Sequence, residues 1–472
     1  MKFSEIPPAS EVAPERRVVG LETEFGLHFD TNAPRKVTSE EVAGALFHSV
    51  VQWGRSSNVF LTNGSRLYID VGAHPEYATA ECDSLTDLIA LDKAGERVVG
   101  ALVEAGEARL RDQGIEGTIH LYKNNADSKG NSYGCHENYL LRRRADFQSF
   151  ASTLVPFLLS RQVVTGAGCV THTAEGAHLS FSPRADHMWE ALSSSTTRSR
   201  PMINTRDEPH AHSDLYRRMH VIVGDSTMAE PTLLLKVGAT DLLLRIMEAR
   251  VPVPEMALED DMQAIRTIAH DVSGKATVPL QDGRELTGAQ IQQTYLDFVR
   301  SHVGSIIEPT DEVERILDLW QRGITAVQTG DWSTVSTELD WAIKFALIER
   351  YRQRTGADLG DARIQRLEWA FHDVAPGRGL YEKMRAQGLI KTVVDEADIQ
   401  RAVDMPPQTT RAKIRGDFVR TGLEAGRDFT VDWVHLKIAG HPGSTVLLKD
   451  PFRSSDARAD ALMAALAGQP TE

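Results

Sequence analysis

The chain of 472 residues is 41% hydrophobic and 25% charged, the composition of a globular protein with ample apolar material for a core. Its formal net charge of −14 at pH 7 disfavours a face of clustered lysine and arginine, so no nucleic-acid partner is expected. Three cysteines without metal-ligand spacing indicate a reducing compartment. No apolar run reaches about 18 residues and the N-terminal segment lacks an apolar leader, so we expect a soluble, cytoplasmic protein that has no membrane partner.

The first half of the chain mixes strand and helix signals. Residues 1–14 contain several prolines and are predicted to form a disordered tail. The apolar run Arg17–Leu21 predicts a strand, and Asn63-Gly64 is a turn signal before a second strand. Apolar residues at helical spacing predict a long helix over Leu85–Arg111. The other predicted segments are a strand at Thr118–Tyr122, a polar turn at 124–134, a helix at Phe147–Leu159, and extended stretches at Ala177–Ser182, Pro201–Arg206 and His220–Val223.

The second half is predominantly helical until its last part. The predicted helices are Pro231–Ala249, Gly288–His302, Glu312–Gln328 and Thr334–Arg352. After residues 405–407, the sequence predicts a helix at Thr409–Ala425, a strand at Phe429–Leu436 and a loop at 440–444. We therefore expect a catalytic domain over residues 15–405 and a small C-terminal domain over 406–472. The predicted fold class is α+β, with an antiparallel-rich sheet that carries the site and helices packed on it.

The strand around Arg66 brings three kinds of polar group onto one face. Side chains two residues apart on a strand point to the same side, so Arg66, Tyr68 and Asp70 share a face. The opposite face is apolar and is predicted to pack in the core; it comprises Leu67, Ile69 and Val71. A half-exposed antiparallel strand produces such alternation without any function. A cation, a phenol and a carboxylate beside further acidic segments favour a site instead.

Two neighbouring segments add carboxylates to this strand. Glu76 lies close enough in sequence to share a site with Asp70, and Glu22 and Glu24 share one face of the first predicted strand. Grouped carboxylates repel one another unless a metal ion, or an arginine such as Arg66, compensates their charge. Mg²⁺ prefers oxygen ligands and completes its shell with phosphate oxygens and water. The segments together therefore indicate a site for Mg²⁺ and a phosphate-bearing substrate.

Other catalytic signatures are absent from the sequence. It contains no glycine-rich phosphate loop, no G-x-S-x-G motif, no nucleophilic cysteine signature and no zinc-type spacing of histidines. A nucleotide would therefore be held by metal and arginines on a sheet, and candidate arginines occur between Arg198 and Arg218. Single histidines are interpreted as structural hydrogen-bonding groups. Two sets are predicted to share a strand face: Asn204 with Arg206 and Glu208, and Arg218 with His220.

Seven motifs occur in an order that resembles one known family. They are RVVGLETEFG at 17–26, NGSRLYIDVGAHPEYATAEC at 63–82, YKNNADSKGNSYGCHENY at 122–139, INTRDEPHA at 203–211, YRRMHVIVGD at 216–225, FHDVAPGRGL at 371–380 and VDW at 431–433. Several of these motifs are long and rare. Together they resemble the Pup–protein ligase family, of the glutamine-synthetase-like carboxylate–amine ligase superfamily. The match runs from about Arg16 to beyond Trp433 and so covers nearly the whole chain.

The resemblance implies a fold, two cofactors and a set of site residues. The fold would be glutamine-synthetase-like, with a curved antiparallel-rich sheet, packed helices and a small C-terminal domain. The cofactors would be ATP and Mg²⁺. Thr79 and Trp433 are identified as site residues by the resemblance alone. The implied roles are Mg²⁺ ligands for Glu22, Tyr68 and Glu76, ATP contacts for Arg66, Thr79 and Trp433, and catalytic base for Asp70.

The reaction that the resemblance implies joins two proteins. Pup, a small disordered acidic protein modifier, would be activated by ATP as a γ-glutamyl phosphate on its C-terminal glutamate. A lysine of a target protein would then attack, marking the target for proteasomal degradation. The nearest alternative is the Pup deamidase/depupylase of the same superfamily, but the segment between Gly26 and Asn63 is too short for the loop inserted there in that family. A catalytically silent Pup-binding adaptor and a small-molecule glutamate–amine ligase are the remaining alternatives.

Overall fold

The structure, a computed structural model, describes residues 16–127, 130–174, 176–195, 200–440 and 445–468. In these residues the strands are β1 (Val19–Glu24), β2 (Gly26–Asp30), β3 (Asn58–Phe60), β4 (Arg66–Asp70), β5 (His74–Ala78), β6 (Thr118–Tyr122), β7 (Cys135–Arg142), β8 (Cys169–Thr173), β9 (Gly176–Ser180), β10 (Glu190–Ser193), β11 (Pro201–Asn204), β12 (Tyr216–Val221), β13 (Thr277–Pro279), β14 (Glu285–Thr287), β15 (Phe429–Val431), β16 (His435–Ile438) and β17 (Thr445–Leu447). The predicted tail at 1–14 and most of the predicted loop at 440–444 lie outside the described residues.

The helices occupy most of the second half of the chain, as predicted. They are α1 (Ser39–Leu46), α2 (His48–Gly54), α3 (Leu85–Asp112), α4 (Phe147–Ser160), α5 (Gln162–Thr165), α6 (Glu230–Glu248), α7 (Asp261–His270), α8 (Gly288–Arg300), α9 (Asp311–Thr329), α10 (Asp340–Thr355), α11 (Ala362–His372), α12 (Leu380–Ala386), α13 (Glu396–Asp404), α14 (Ala412–Glu424) and α15 (Ala457–Leu466). Within the part of the chain that the structure describes, none of them is both long and apolar enough to cross a membrane.

An eight-stranded sheet, in the order β10-β11-β12-β7-β1-β5-β4-β3, positions the polar residues of interest. Its neighbouring strands are antiparallel except for the pair β10–β11. On β1, Val19 and Leu21 point into the main hydrophobic core with α3, α4 and α6, whereas Glu22 and Glu24 lie half-buried on the other face. One apolar and one polar face per strand is the pattern that period-two alternation produces. The predicted antiparallel-rich sheet with packed helices is therefore confirmed.

The helix predicted over Leu85–Arg111 is confirmed with nearly the same bounds, since α3 spans 28 residues from Leu85. Its start is fixed by Ser84, whose side chain accepts a hydrogen bond from the backbone N of Asp87 at 3.3 Å. Leu88 and Leu91 are buried in the main core. The capping residue and the apolar spacing together explain why the sequence predicted this helix well.

The last part of the chain has an apolar core of its own. Strands β15, β16 and β17 form a separate three-stranded sheet, and α14 and α15 pack beside it. The residues of this core are Ile414, Phe418, Leu436, Ile438, Val446, Leu448, Ala459, Leu462 and Leu466. Separate cores are what distinguish domains; the boundary at residue 405/406 stays a prediction.

The predicted single strand over Phe429–Leu436 is wrong, because the chain reverses direction within it. β15 and β16 pair as an antiparallel hairpin in which Val431 lies opposite Leu436. The Asp432 carboxylate accepts hydrogen bonds from the backbone N of Val434 at 2.8 Å and of His435 at 2.7 Å. An aspartate that bonds its own backbone two and three residues on makes a tight turn, which strand propensity does not register.

Several smaller predictions also differ from the structure. Val71 was predicted to lie on the core face of its strand, but β4 ends at Asp70 and Val71 is 87% exposed in the following turn. The predicted strand-face group of Asn204, Arg206 and Glu208 is wrong as well, because β11 ends at Asn204. The helix predicted from Thr334 begins at Asp340. The helices that the sequence did not predict are each 11 residues or shorter, so their periodicity covers few turns; they are α1, α2, α5, α7, α11, α12, α13 and α15.

A buried ion-pair group ties the start of β1 to helix α6, and we expect its loss to destabilise the protein. Arg17, only 3% exposed, donates to Asp241 at 2.6 Å and to Glu248 at 2.5 Å. Arg17→Ala would leave two buried carboxylates without their shared cation, which costs about 3–5 kcal/mol. Urea unfolding followed by circular dichroism measures this, with the exposed Arg111→Ala as a control expected within about 0.5 kcal/mol. Equal unfolding midpoints for the two variants would contradict the prediction.

Candidate active site

Two rows of side chains cross the polar face of the eight-stranded sheet. In the first row Glu22 lies opposite His136 on β7, and on its other side opposite Ala78, which in turn pairs with Arg66. In the second row, comprising Glu24, Glu76, Tyr68 and Asn58, each residue lies opposite the next across β1, β5, β4 and β3. Residues two apart on a strand are separated by about 6.6 Å, so the rows are close neighbours.

An acidic group forms around the second row. One carboxylate oxygen from each of Glu24, Asp70 and Glu76 lies within 4.8 Å of the others. Tyr68 donates its phenol hydrogen to Oε1 of Glu76, which is only 3% exposed. Burial raises the pKa of Glu76 well above its usual value, and the charges of Glu22 and Glu24 raise it further. A hard divalent cation would relieve this repulsion, and an all-oxygen donor set is the kind that Mg²⁺ prefers.

The Tyr68 phenol keeps its proton in this environment. Burial raises its pKa, and the negative charges of Glu76 and then Glu22 raise it further. The guanidinium of Arg66 lies 4.2 Å from the centre of the Tyr68 ring, and its Nε donates to Oδ1 of Asn58 at 2.8 Å. These contacts hold Arg66 beside the acidic group, where its guanidinium group can bind phosphate oxygens.

A second group of candidate ligands surrounds Glu22. Its carboxylate receives hydrogen bonds from Asn138 at 3.1 Å and Arg218 at 3.2 Å, and lies 3.2 Å from Nδ1 of His136 and 3.7 Å from Nε2 of His220. Burial disfavours charge on Glu22, but His220, the hydrogen bond with His136 and the charge of Arg218 outweigh it and hold its pKa well below the usual value. One ligand atom from each of Glu22, His136 and His220 lies within 4.8 Å of the others.

His220 fits a metal ligand in two further respects. Burial lowers its pKa to about 3, so the imidazole is neutral at neutral pH. Both ring nitrogens are buried and lack a hydrogen-bond partner among the described residues. A neutral imidazole with a free lone pair is the form that binds metal ions, and a buried ring nitrogen that no protein group satisfies suits a bound cation or water.

A cleft adjoins Glu22 and extends towards the C-terminal residues Arg411, Trp433 and Pro451. Its walls include Thr79, which is 4% exposed and accepts a hydrogen bond from the backbone N of Leu21 at 3.0 Å. Trp433 also lines the cleft, with its ring 5.0 Å from that of Phe60 and 6.4 Å from that of His210. A carboxylate, a hydroxyl and an aromatic ring thus meet in one concave site, the kind of lining that holds small ligands.

The structure thus collects the residues predicted from the sequence into one region. Thr79 and Trp433 line the same cleft as Glu22, and Tyr68 joins Glu76 beside it. Arg66 does not line this cleft; it lies on the ring of Tyr68. Asp70 lies at the end of β4 farthest from the cleft, in the acidic group.

Three residues of the site were not among the ligands considered from the sequence: His136, Asn138 and His220. Glu24 and Arg218 were candidates for the metal site and for nucleotide contacts, and both lie in the site. The prediction that Arg218 and His220 share a strand face is confirmed, since both reach Glu22 from β12. Interpreting the histidines as merely structural missed their place beside a carboxylate. The signal that could have identified them is the repeated two-residue spacing of polar groups in 136–138 and 218–220. Arg198, the first of the predicted arginine candidates, lies outside the described residues.

Comparison with known proteins agrees with this geometry. The family model "Pup-ligase protein" matches residues 17–437. A Pup–protein ligase of Sanguibacter keddieii is 55% identical over 449 residues, covering 95% of this chain and 99% of that protein.

Two solved structures share the fold. The Pup ligase PafA in complex with Pup has a TM-score of 0.91 at 42% identity and covers 96% of this chain and 93% of its own. PafA in complex with ADP has a TM-score of 0.84 at 42% identity, covering 92% and 95%. The predicted fold class and the predicted family are both confirmed: the chain belongs to the Pup ligase family.

Proposed function

We propose that this protein is an ATP-dependent Pup–protein ligase. It joins the side-chain carboxylate of the C-terminal glutamate of Pup to lysines of target proteins through a γ-glutamyl phosphate. The observation that carries the proposal is the placement, on one sheet face, of a cleft lined by Glu22, Thr79 and Trp433, two groups of cation ligands and a carboxylate at the end of β4. Family membership identifies the protein partner, because one related ligase is solved in complex with Pup.

The first step transfers a phosphoryl group from ATP to the Pup glutamate. We assign ATP binding to Arg66, Thr79 and Trp433. Phosphoryl transfer depends on alignment and on neutralising phosphate charge rather than on a protein nucleophile. Mg²⁺ held by the carboxylates and phenol of the two rows would supply that neutralisation. The proposed ligands are Glu22, Tyr68 and Glu76, joined by Glu24, His136 and His220.

The second step is the attack of a lysine amine on the acyl phosphate. A lysine ammonium with its ordinary pKa of about 10.4 carries no free lone pair at neutral pH, so it must lose a proton to react. Asp70 is suited to accept that proton because its carboxylate lies beside Glu24 and Glu76 but at the end of the strand, next to the exposed turn. The new isopeptide bond forms as inorganic phosphate leaves.

The proposal predicts the products of one incubation. With ATP, Mg²⁺, Glu-ended Pup and a lysine-bearing protein, we expect a conjugate whose mass is the sum of the two proteins less one water, together with ADP and phosphate. Mass spectrometry and an ADP assay measure both. Conversion of Gln-ended Pup to the Glu-ended form, or cleavage of conjugates, would indicate a deamidase/depupylase instead. Pup binding without ATP turnover would indicate an adaptor.

Two further expectations accompany this function. We propose that residues 15–405 form the catalytic domain and 406–472 a small C-terminal domain that contributes Trp433; the separate apolar core of the latter residues supports this division. We also propose a cytoplasmic location, on the grounds of the cysteine content.

A further inference from the structure

A buried carboxylate links the main sheet to helix α14. Glu81 follows β5 and is 9% exposed. It accepts hydrogen bonds from Nε of Arg411 at 2.8 Å and from Nη1 of Arg415 at 3.1 Å, and a further one from Nη2 of Arg415. The two arginines are 2% and 0% exposed and lie four residues apart, so they present their guanidinium groups on one side of the helix. We call Glu81, Arg411 and Arg415 the latch.

Arg415 also contacts Trp433, which lines the cleft. Its Nη1 donates to the backbone O of Trp433 at 3.2 Å, and the centre of its guanidinium lies 4.9 Å from the centre of the Trp433 ring. The same guanidinium lies 5.2 Å from the ring of Phe60, and its Nε donates to the backbone O of Gly64 at 3.0 Å. The Arg415 side chain therefore contacts Phe60 and Gly64 beside the main sheet and also Trp433 of the C-terminal residues.

Burying the charged groups of the latch costs free energy, so stabilisation of the fold does not by itself explain them. Two guanidinium groups share one carboxylate, which leaves an excess positive charge in a buried position. Burial disfavours the charge on Glu81, but Arg415 and then Arg411 outweigh it and lower its pKa to about 2, so the carboxylate stays ionised. Apolar side chains of similar volume usually hold two surfaces together at least as well as buried ion pairs. The ion pairs differ from apolar contacts in being directional, because the forked guanidinium group holds its hydrogen-bond partners in one geometry.

We propose that Arg415 is a positioning residue for the nucleotide: held by Glu81, it fixes Trp433 in the wall of the cleft, so that nucleotide affinity depends on the latch. This inference rests on the proposed function, because it takes the cleft as the ATP site. Arg411 lines the cleft itself, together with Thr79 and Trp433. The latch thus makes one wall of the nucleotide site depend on the contact between the main sheet and the C-terminal residues.

The test is whether Arg415 acts through Trp433. Arg415→Lys keeps the charge and loses the fork, and we expect it to weaken ADP binding by about tenfold, the effect of one charged hydrogen bond. In a Trp433→Ala background the same change is expected to alter ADP affinity by less than about twofold, because the group it positions is gone. Isothermal titration calorimetry gives the four dissociation constants. In turnover, Arg415→Lys is expected to raise KM for ATP and to leave kcat at saturating ATP nearly unchanged.

Controls separate this inference from a general loss of stability and from the proposed function. Arg427 also holds C-terminal residues together, donating to the backbone O of Ala465 at 2.7 Å, but it is exposed and makes no contact with Trp433. Arg427→Lys is therefore expected to bind ADP normally. If Arg415→Lys does not fold, Arg415→Gln, which also loses the fork and does not line the cleft, takes its place in the same cycle with the same expected pattern. Equal losses of ADP affinity with and without Trp433 would overturn the inference alone, whereas failure of the wild-type protein to bind ADP would overturn the proposed function as well.

Discussion

Asp70→Asn is expected to lower the rate of conjugation by about 10²–10⁴-fold, the contribution of a positioned general base. The amide has nearly the shape of the carboxylate but does not accept a proton from the lysine ammonium. Asp70 lies at the end of β4, and the next residue, Val71, is 87% exposed. A lysine of a folded target protein can therefore approach Asp70 from solvent, whereas Glu76 is 3% exposed and faces the acidic group from within the sheet.

Two half-reactions distinguish the base from a metal ligand. If Asp70 serves the amine, Asp70→Asn still binds ADP and still forms ADP when Pup is added, because the acyl phosphate precedes the lysine. Raising the pH is expected to restore part of the conjugation, since more of the lysine is then neutral. Asp112→Asn, on the exposed end of α3, is the matched control and should conjugate normally. Loss of ADP binding in Asp70→Asn would place Asp70 among the metal ligands instead.

The polar face of β4 could be predicted because alternation is a local property. Arg66, Tyr68 and Asp70 follow from their two-residue spacing alone, as does the pairing of Glu22 and Glu24 on one side of β1. The order of the strands is not local. Nothing in the sequence pattern states that β1 lies between β5 and β7, and only that order places Glu24 opposite Glu76 and His136 opposite Glu22.

Trp433 shows a second limit of sequence reasoning. It lies in a turn that is made by side-chain-to-backbone hydrogen bonds of Asp432, inside a run that resembles a single strand. Its distance of 5.0 Å from Phe60 joins residues more than 370 positions apart in sequence. Composition and periodicity carry no information about such a contact, so family resemblance was the one route to this residue. Glu81 and Arg415 of the latch are separated by a similar length of chain. The sequence pattern could not predict their contact for the same reason.

Glu76→Gln is expected to raise the Mg²⁺ concentration needed for half-maximal activity by at least about tenfold and to lower activity at limiting Mg²⁺ accordingly. The amide can still accept the phenol hydrogen of Tyr68, so the local packing is kept while the acidic group loses one of its three carboxylates. With less negative charge the site attracts the cation less strongly, and excess Mg²⁺ should restore part of the rate. Glu104→Gln, exposed on α3, provides the matched control.

The comparison with Glu22→Gln makes this prediction sharper. Glu22 belongs to the group with His136 and His220, whereas Glu76 belongs to the group with Glu24 and Asp70. If each group holds its own cation, each variant binds one fewer Mn²⁺ ion than the wild-type protein in a titration followed by electron paramagnetic resonance. If a single cation is shared, the two variants lose the same ion, and the double variant loses no more than either single one. If the Mg²⁺ dependence of Glu76→Gln is unchanged, Glu76 is not a metal ligand. Removing the charge of a carboxylate that binds the cation directly in a buried site would weaken the binding of that cation.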